Sequence, residues 1–297
     1  MKTATKASPL ETAKQYIKLM RVPHYIKNLL VFLPLFFSGQ IFEGRKFLVN
    51  LLVFFALSAV SSVVYIINDI FDRERDRKHP TKCKRPIAAG TISVKAAVCF
   101  AGFLFAVAVA CNGVVFNWKV SAIMLTYLLL NLGYSFGLKN IPIVDIVILV
   151  SGFILRILYG AIVNEIVISN WLYLTVFVIS LFLSLGKRRN ELRKYDDATR
   201  KVLNFYTIPF LDKSMTMCMT MTNIFYALWS MDVNNTTLSD GGTMVLTVPL
   251  VVLITMRYSM IIETDMDGDP VEVLLHDKIL LGMCVLYAVT VLALLYW

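Results

Sequence analysis

The run Asn68-Asp69-Ile70-Phe71-Asp72-Arg73-Glu74-Arg75-Asp76 leaves directly from the apolar stretch Val63 to Ile67. On a helix turning about 100° per residue, Asp69, Asp72 and Asp76 fall within about 60° of one another, and Asn68 lies one turn before Asp72. Three carboxylates on one face repel, and at a membrane boundary they are costly to keep ionised. A cation held between them relieves both problems. Hard oxygen donors suit Mg²⁺, which takes one or two protein carboxylates and completes its shell with water and substrate phosphate oxygens; Mn²⁺ is served by the same ligands. Asp69, Asp72 and Asp76 are therefore the candidate metal ligands and catalytic carboxylates. The plainer alternative is a solvated helix end, neutralised locally by Arg73, Arg75 and Arg77.

A Pro-punctuated basic loop follows, from Lys78 to Gly90, ending at a helix-start signal at Ser93. With metal-bound phosphates beside it, Lys82 and Arg85 would supply charge-assisted hydrogen bonds to a polyphosphate. Further cations stand at comparable places. Lys187 and Arg188 suit anionic groups, and Glu191, one turn from Lys187, could orient it. Arg21, Lys27 and Asn28 lie where the chain enters the membrane, at headgroup level, and Tyr134 and Lys139 end a later apolar run. Each group can also be read as interface anchoring or snorkelling. Asp145 begins the next span and could join the polar site. Arg156 stands deep in that span, where a charge costs roughly 2.5 to 3.5 kcal/mol on insertion scales; at 1.5 Å per residue it should lie some 20 Å from the site, which favours a structural role.

The elements that must position these residues follow from composition. Of 297 residues, 58% are apolar and 16% charged, against about 45 to 50% and about 25% in soluble globular domains. The chain reads as an all-α polytopic membrane protein, a single integral membrane domain over residues 1–297. About nine transmembrane helices, near residues 28–43, 47–67, 94–113, 119–137, 141–163, 168–186, 215–231, 243–262 and 278–296, would surround a cytosol-facing polar cavity. Seven Lys and Arg lie between Arg73 and Arg85, and seven between Lys187 and Lys201. By the positive-inside rule the loops near 68–92 and 187–214, the N-terminal arm (residues 1–25) and the active site are cytosolic, and the C-terminus is outside. The arm has no apolar h-region, so no cleavable signal peptide is expected.

The pair NDxxDxxxD and Arg85-Pro86-Ile87-Ala88-Ala89-Gly90 resembles the UbiA superfamily of intramembrane prenyltransferases. The segments Arg21 to Asn28, Tyr134 to Lys139, Gly186 to Arg193, Arg200 to Leu203 and Asp269 to Glu272 resemble its polyprenyl-phosphate phosphoribosyltransferase branch. Ordinary aromatic prenyltransferases of the superfamily resemble one another in a second Asp-rich motif; at that place this chain reads GKRRNELRKYDD. Asp196 and Asp197 keep a second-metal reading open. The resemblance implies transfer of 5-phosphoribosyl from 5-phosphoribosyl diphosphate to a polyprenyl phosphate in a bacterial inner membrane. Arg21, Lys27, Asn28, Asn68, Lys82, Arg85, Tyr134, Lys139, Lys187, Arg188 and Glu191 would bind substrate.

Two rivals remain at this level: a prenyltransferase acting on an aromatic or quinone precursor, and a lipid transporter. The partners implied are the two phosphate substrates and the bilayer, with no nucleic acid; a homo-oligomer is left open. The five cysteines are odd in number and form no CxxC pair, and His24, His79 and His276 form no HExxH or triad order, so disulfide, zinc and hydrolase readings have no support. The acidic run Glu263 to Asp269 mimics part of a calcium loop without its closing Glu.

Overall fold

The computed structural model describes residues 8–78, 81–115, 117–194, 201–232, 244–263 and 270–296. Among them every regular element is helical: α1 Pro9–Met20, α2 Leu33–Phe37, α3 Gly44–Phe71, α4 Arg73–Arg77, α5 Val94–Val115, α6 Trp118–Phe136, α7 Val144–Val163, α8 Asn170–Lys194, α9 Ile208–Met231, α10 Val248–Ile262, α11 Pro270–His276 and α12 Lys278–Tyr296. The helices α3, α5, α7, α8, α10 (with the turn before it) and α12 are long and apolar enough to cross a membrane; this is an integral membrane protein. Of the nine sequence segments, the other three behave differently. α6 and α9 have spanning length but carry Lys119 and Asn131, and Asp212, Lys213 and several Thr. The first is no regular span: Val22–Phe32 is an eleven-residue 3₁₀ helix running into the five-residue α2 at Pro34.

Local chemistry explains the start of the chain. Ser8 caps α1 in a reciprocal box with Glu11, and Pro9 stands at its first turn, where a missing N–H leaves no bond unmade. Arg21 then takes the left-handed conformation (φ 55°) and redirects the backbone into the 3₁₀ helix.

Three apolar clusters fill the bundle, the smallest joining α8, α9 and α12 through Leu172, Trp229 and Val291. Of the two larger, one packs α3, α5 and α6 with Leu19 and Val31; the other packs α7, α8, α9 and α10 with Val273 and Leu280. Tyr159 of α7 belongs to the first of these and Ile146, Val150 and Ile154 to the second, so α7 is shared between the two larger clusters.

Candidate active site

Helix α3 ends at Phe71, Asp72 is its C-cap, and α4 begins at Arg73. The turn does not break the ladder: the Asp72 N–H donates to Asn68 O (2.9 Å) and the Asp76 N–H to Asp72 O (2.8 Å). Asp69 and Asp76, two turns apart, keep one face. Both accept from a single nitrogen, Arg85 Nη1, at 3.1 Å (Asp69 Oδ1) and 2.7 Å (Asp76 Oδ2). Arg21 Nη2 donates to the same Asp69 Oδ1 at 2.6 Å, with its guanidinium 4.7 Å from the Tyr65 ring centroid. Asp72 lies 3.7 Å from Lys139 Nζ.

The stripe draws its described guanidinium partners from a distance. Arg73 and Arg77 bond Glu74 instead; these bonds, Arg73's first, hold the Glu74 carboxyl below its ordinary range. Arg85 reaches the stripe because its loop is built to fold back. Ile87 and Ala88 are buried in the core. The Ala89 N–H closes on Arg85 O and Arg77 Nε donates to Ala88 O. Gly90 sits at φ 76°, a conformation that favours glycine. Lys18 Nζ donates to Lys84 O (2.7 Å), fastening the loop to α1.

A second acid–guanidinium cluster joins α6, α7, α8 and the segment before α9. Arg188 is fully buried; its Nε donates to Asp145 Oδ2 (2.6 Å), Nη1 to Glu191 Oε2 (2.7 Å) and Nη2 to the Tyr134 hydroxyl (3.1 Å). Tyr206, which had not been singled out from sequence, donates to Asp145 Oδ1 (2.7 Å) and accepts from the Ile143 N–H. Burial, and then the bond to Asp145, push its hydroxyl up to about 12. The two clusters lie at the same end of the bundle: Tyr134, in the second, is five residues from Lys139, in the first, across the turn after α6.

Arg21, Asp69, Asp72, Asp76, Arg85 and Lys139 are thus brought together, and Tyr134, Arg188 and Glu191 stand beside them. Asn68, Lys27, Lys82 and Lys187 are half-buried near these groups in sequence. Glu191 accepts from Arg188, one turn back. Two expectations need correction. Arg188 does not present its charge to a ligand, because in the interior each of its three nitrogens donates to a side chain. Asn28 is not at headgroup level: it is 1% exposed, bonded to Ser58 Oγ (3.0 Å) and to Arg156 Nε (2.9 Å). Ser58 is eleven residues before Asp69 on α3, about 16 Å at helical rise. Among the described residues no three His, Cys, Asp or Glu side chains form a ready metal cage; in this arrangement the stripe holds guanidinium groups. Asp196, Asp197, His79 and residues 264–269 of the acidic run lie outside the described residues.

A bundle of apolar helices with carboxylates and guanidiniums converging at one end defines a membrane-embedded transferase, and the chain belongs to the UbiA prenyltransferase family, whose model matches residues 30–274. It is similar to the decaprenyl-phosphate phosphoribosyltransferase of Corynebacterium glutamicum (34% identical, over 92% of this chain and 84% of that one). It is also similar to the enzyme of that name from Mycolicibacterium smegmatis (32% identical, over 99% and 96%). In fold it is similar to a UbiA homologue from Archaeoglobus fulgidus bound to GPP and Mg²⁺, at TM-score 0.70 and 19% identity over 95% of this chain and 99% of that chain.

Proposed function

We propose that the protein transfers a 5-phosphoribosyl group from 5-phosphoribosyl diphosphate to a polyprenyl phosphate, releasing diphosphate. The full-length likeness to decaprenyl-phosphate phosphoribosyltransferases carries this reading. The geometry supports it, because two carboxylates converge on Arg85 beside Arg21 and Lys139, a set suited to phosphate-bearing substrates.

Asp69 and Asp76 would hold a divalent ion, with Asp72 joining them on release from Lys139; two or three carboxylates with the remaining positions left to phosphate and water suit Mg²⁺ better than an all-protein cage does. Such an ion supplies charge neutralisation at the departing diphosphate. Arg21 and Arg85, freed from the carboxylates, would donate to phosphate oxygens as bidentate partners. Lys27, Asn68, Lys82 and Lys187 would extend the anion site, and Tyr134 and Glu191, held by Arg188, would face the ribose. The C1–O bond to diphosphate breaks, the leaving group takes the electron pair, and a lipid phosphate oxygen forms the new C1–O bond with inversion. That oxygen is already anionic at neutral pH, so no general base is required.

The reading extends to topology: one integral domain of about nine spans, in a bacterial inner membrane, with the N-terminus and site cytosolic and the C-terminus outside, as the basic loops favour. The test is transfer of label from 5-phosphoribosyl diphosphate into an organic-extractable lipid by purified protein with Mg²⁺ and polyprenyl phosphate, beside Asp72→Asn. Transfer that is lost in the variant supports donor and carboxylates together. No transfer, with turnover of a prenyl diphosphate and an aromatic acceptor, overturns the phosphoribosyl reading.

A further inference from the structure

A 3₁₀ helix of eleven residues is unusual, since runs beyond three or four residues are held by poor hydrogen-bond geometry. Val22–Phe32 must therefore owe its shape to its neighbours, and two helices grip it. On one side α3 offers two hydroxyls a turn apart: Ser58 Oγ accepts from Asn28 Nδ2, and Ser62 Oγ pairs with the Tyr25 hydroxyl at 2.8 Å. On the other side α7 offers Arg156 and, one turn on, Gly160. Arg156 Nε donates to Asn28 Oδ1, and Gly160 lies so close that a Cβ there would overlap the Val31 carbonyl.

Arg156 is itself held on three sides. Nη1 donates to Gly152 O (2.6 Å), Nη2 to the Tyr127 hydroxyl (3.0 Å), and the guanidinium lies 5.0 Å from the Tyr127 ring centroid. The Tyr127 hydroxyl pairs in turn with Ser61 on α3 (3.1 Å). Every partner described for Arg156 is neutral. A guanidinium placed in a span without a described carboxylate is not there to complete an ion pair; its planar fork fixes three acceptors on different segments at once. The segment it fixes begins at Arg21, whose left-handed backbone and 2.6 Å bond place it on Asp69.

We propose that Arg156 is a positioning residue: together with Gly160 it clamps the Val22–Phe32 helix to α7 through Asn28, and so sets where Arg21 meets Asp69. The role of Arg21 toward a phosphate donor rests on the function proposed above; the clamp does not. Arg156 itself touches no reacting group.

The test measures the clamp without turnover and then its consequence. In a background with the five native cysteines replaced by alanine, spin labels on the exposed positions 29 and 147 report the distance between the 3₁₀ helix and α7 in ligand-free protein. Arg156→Gln, Asn28→Leu and Gly160→Ala each broaden or shift that distance, whereas Asn28→Asp, which keeps an acceptor for Arg156 and can accept from Ser58, leaves it narrow. In the transfer assay Arg156→Gln raises the donor KM about tenfold, or about 1.4 kcal/mol, with a smaller change in kcat, and adds less than twofold in an Arg21→Ala background. An unchanged distance in all three disruptive variants overturns the clamp. A changed distance with fully additive KM effects overturns its link to Arg21. If Arg156→Gln does not fold, the contrast between Asn28→Leu and Asn28→Asp decides. If the parent protein transfers no phosphoribosyl group, the functional reading falls while the distance measurement still decides the clamp.

Discussion

The Asp69–Asp76 cluster and the Asp145–Arg188 cluster are made of the same residue types at the same end of the bundle, yet they differ in water. In the first, the Asp69 and Asp76 side chains are nearly buried but Arg21 and Arg85 are 21% and 26% exposed and Asp72 is 34% exposed. In the second, both Asp145 and Arg188 are at 0%. A pair with one partner open to water can change partners, because water solvates the charge that is released. A sealed pair cannot, because separating it leaves a charge in the interior. The open cluster is thus fit to trade its guanidiniums for a metal ion and phosphates, and the sealed one is fit to hold Tyr134 and Glu191 still beside it.

Removing one carboxylate from each cluster should separate the two roles. Asp69→Asn is expected to lower transfer by about 10²- to 10³-fold, as loss of a group aimed at developing charge does, with little change in the thermal midpoint in detergent; chelation of divalent ions should match that loss, and Mg²⁺ should reverse it only in the parent protein. Asp145→Asn should instead lower stability by about 3 kcal/mol, read as a fall in the thermal midpoint, since Arg188 keeps only Glu191 as a countercharge. Replacing the pair together, Asp145→Leu with Arg188→Met, should recover much of that midpoint while transfer stays low, because Tyr134 and Glu191 lose their anchor. Glu191→Gln, at the edge of the sealed cluster, should cost about tenfold in transfer (about 1.4 kcal/mol), mainly in the donor KM.

The smallest effect belongs to a third pair, at the surface. Arg257 Nη2 donates to Asp277 Oδ2 at 2.6 Å, and Asp277 Oδ1 accepts the Leu280 N–H at the start of α12. These bonds, Arg257's first, lower the Asp277 carboxyl. A depressed carboxylate contributes stability that is complete above its unfolded value near 4 and is lost as pH falls through the folded value. Melting curves taken from pH 6 downward should show a slightly weaker acid sensitivity in Asp277→Asn than in the parent.

Much of the open cluster was legible in one dimension. Asp69 and Asp76 are seven residues apart, two helical turns, so period alone puts them on one face, and RPIAAG carries its own turn. The period places Asp72 on the same stripe, but nothing local shows that Lys139 stands beside it. The sealed cluster was hidden for a different reason: Asp145 and Arg188 are 43 residues apart and Tyr206 is 61 residues from Asp145. No local period links them, and in one dimension a buried Arg in a basic run looks like a solvated one. Arg156 was noticed for its depth, but Asn28, 128 residues away, was placed at the wrong level because an Asn near a membrane boundary carries no mark of which neighbour will bury it.

By itself the sequence determined that the chain is a bundle of apolar helices, where its chemistry concentrates and what kind of ligand that chemistry favours, because hydrophobicity, charge and helical period are local properties. Only the tertiary structure decided which cations answer the carboxylates, which arginine is offered and which is sealed, and how the first apolar segment becomes a clamped 3₁₀ helix. Those outcomes depend on contacts between distant segments, where burial sets the free energy of every charge.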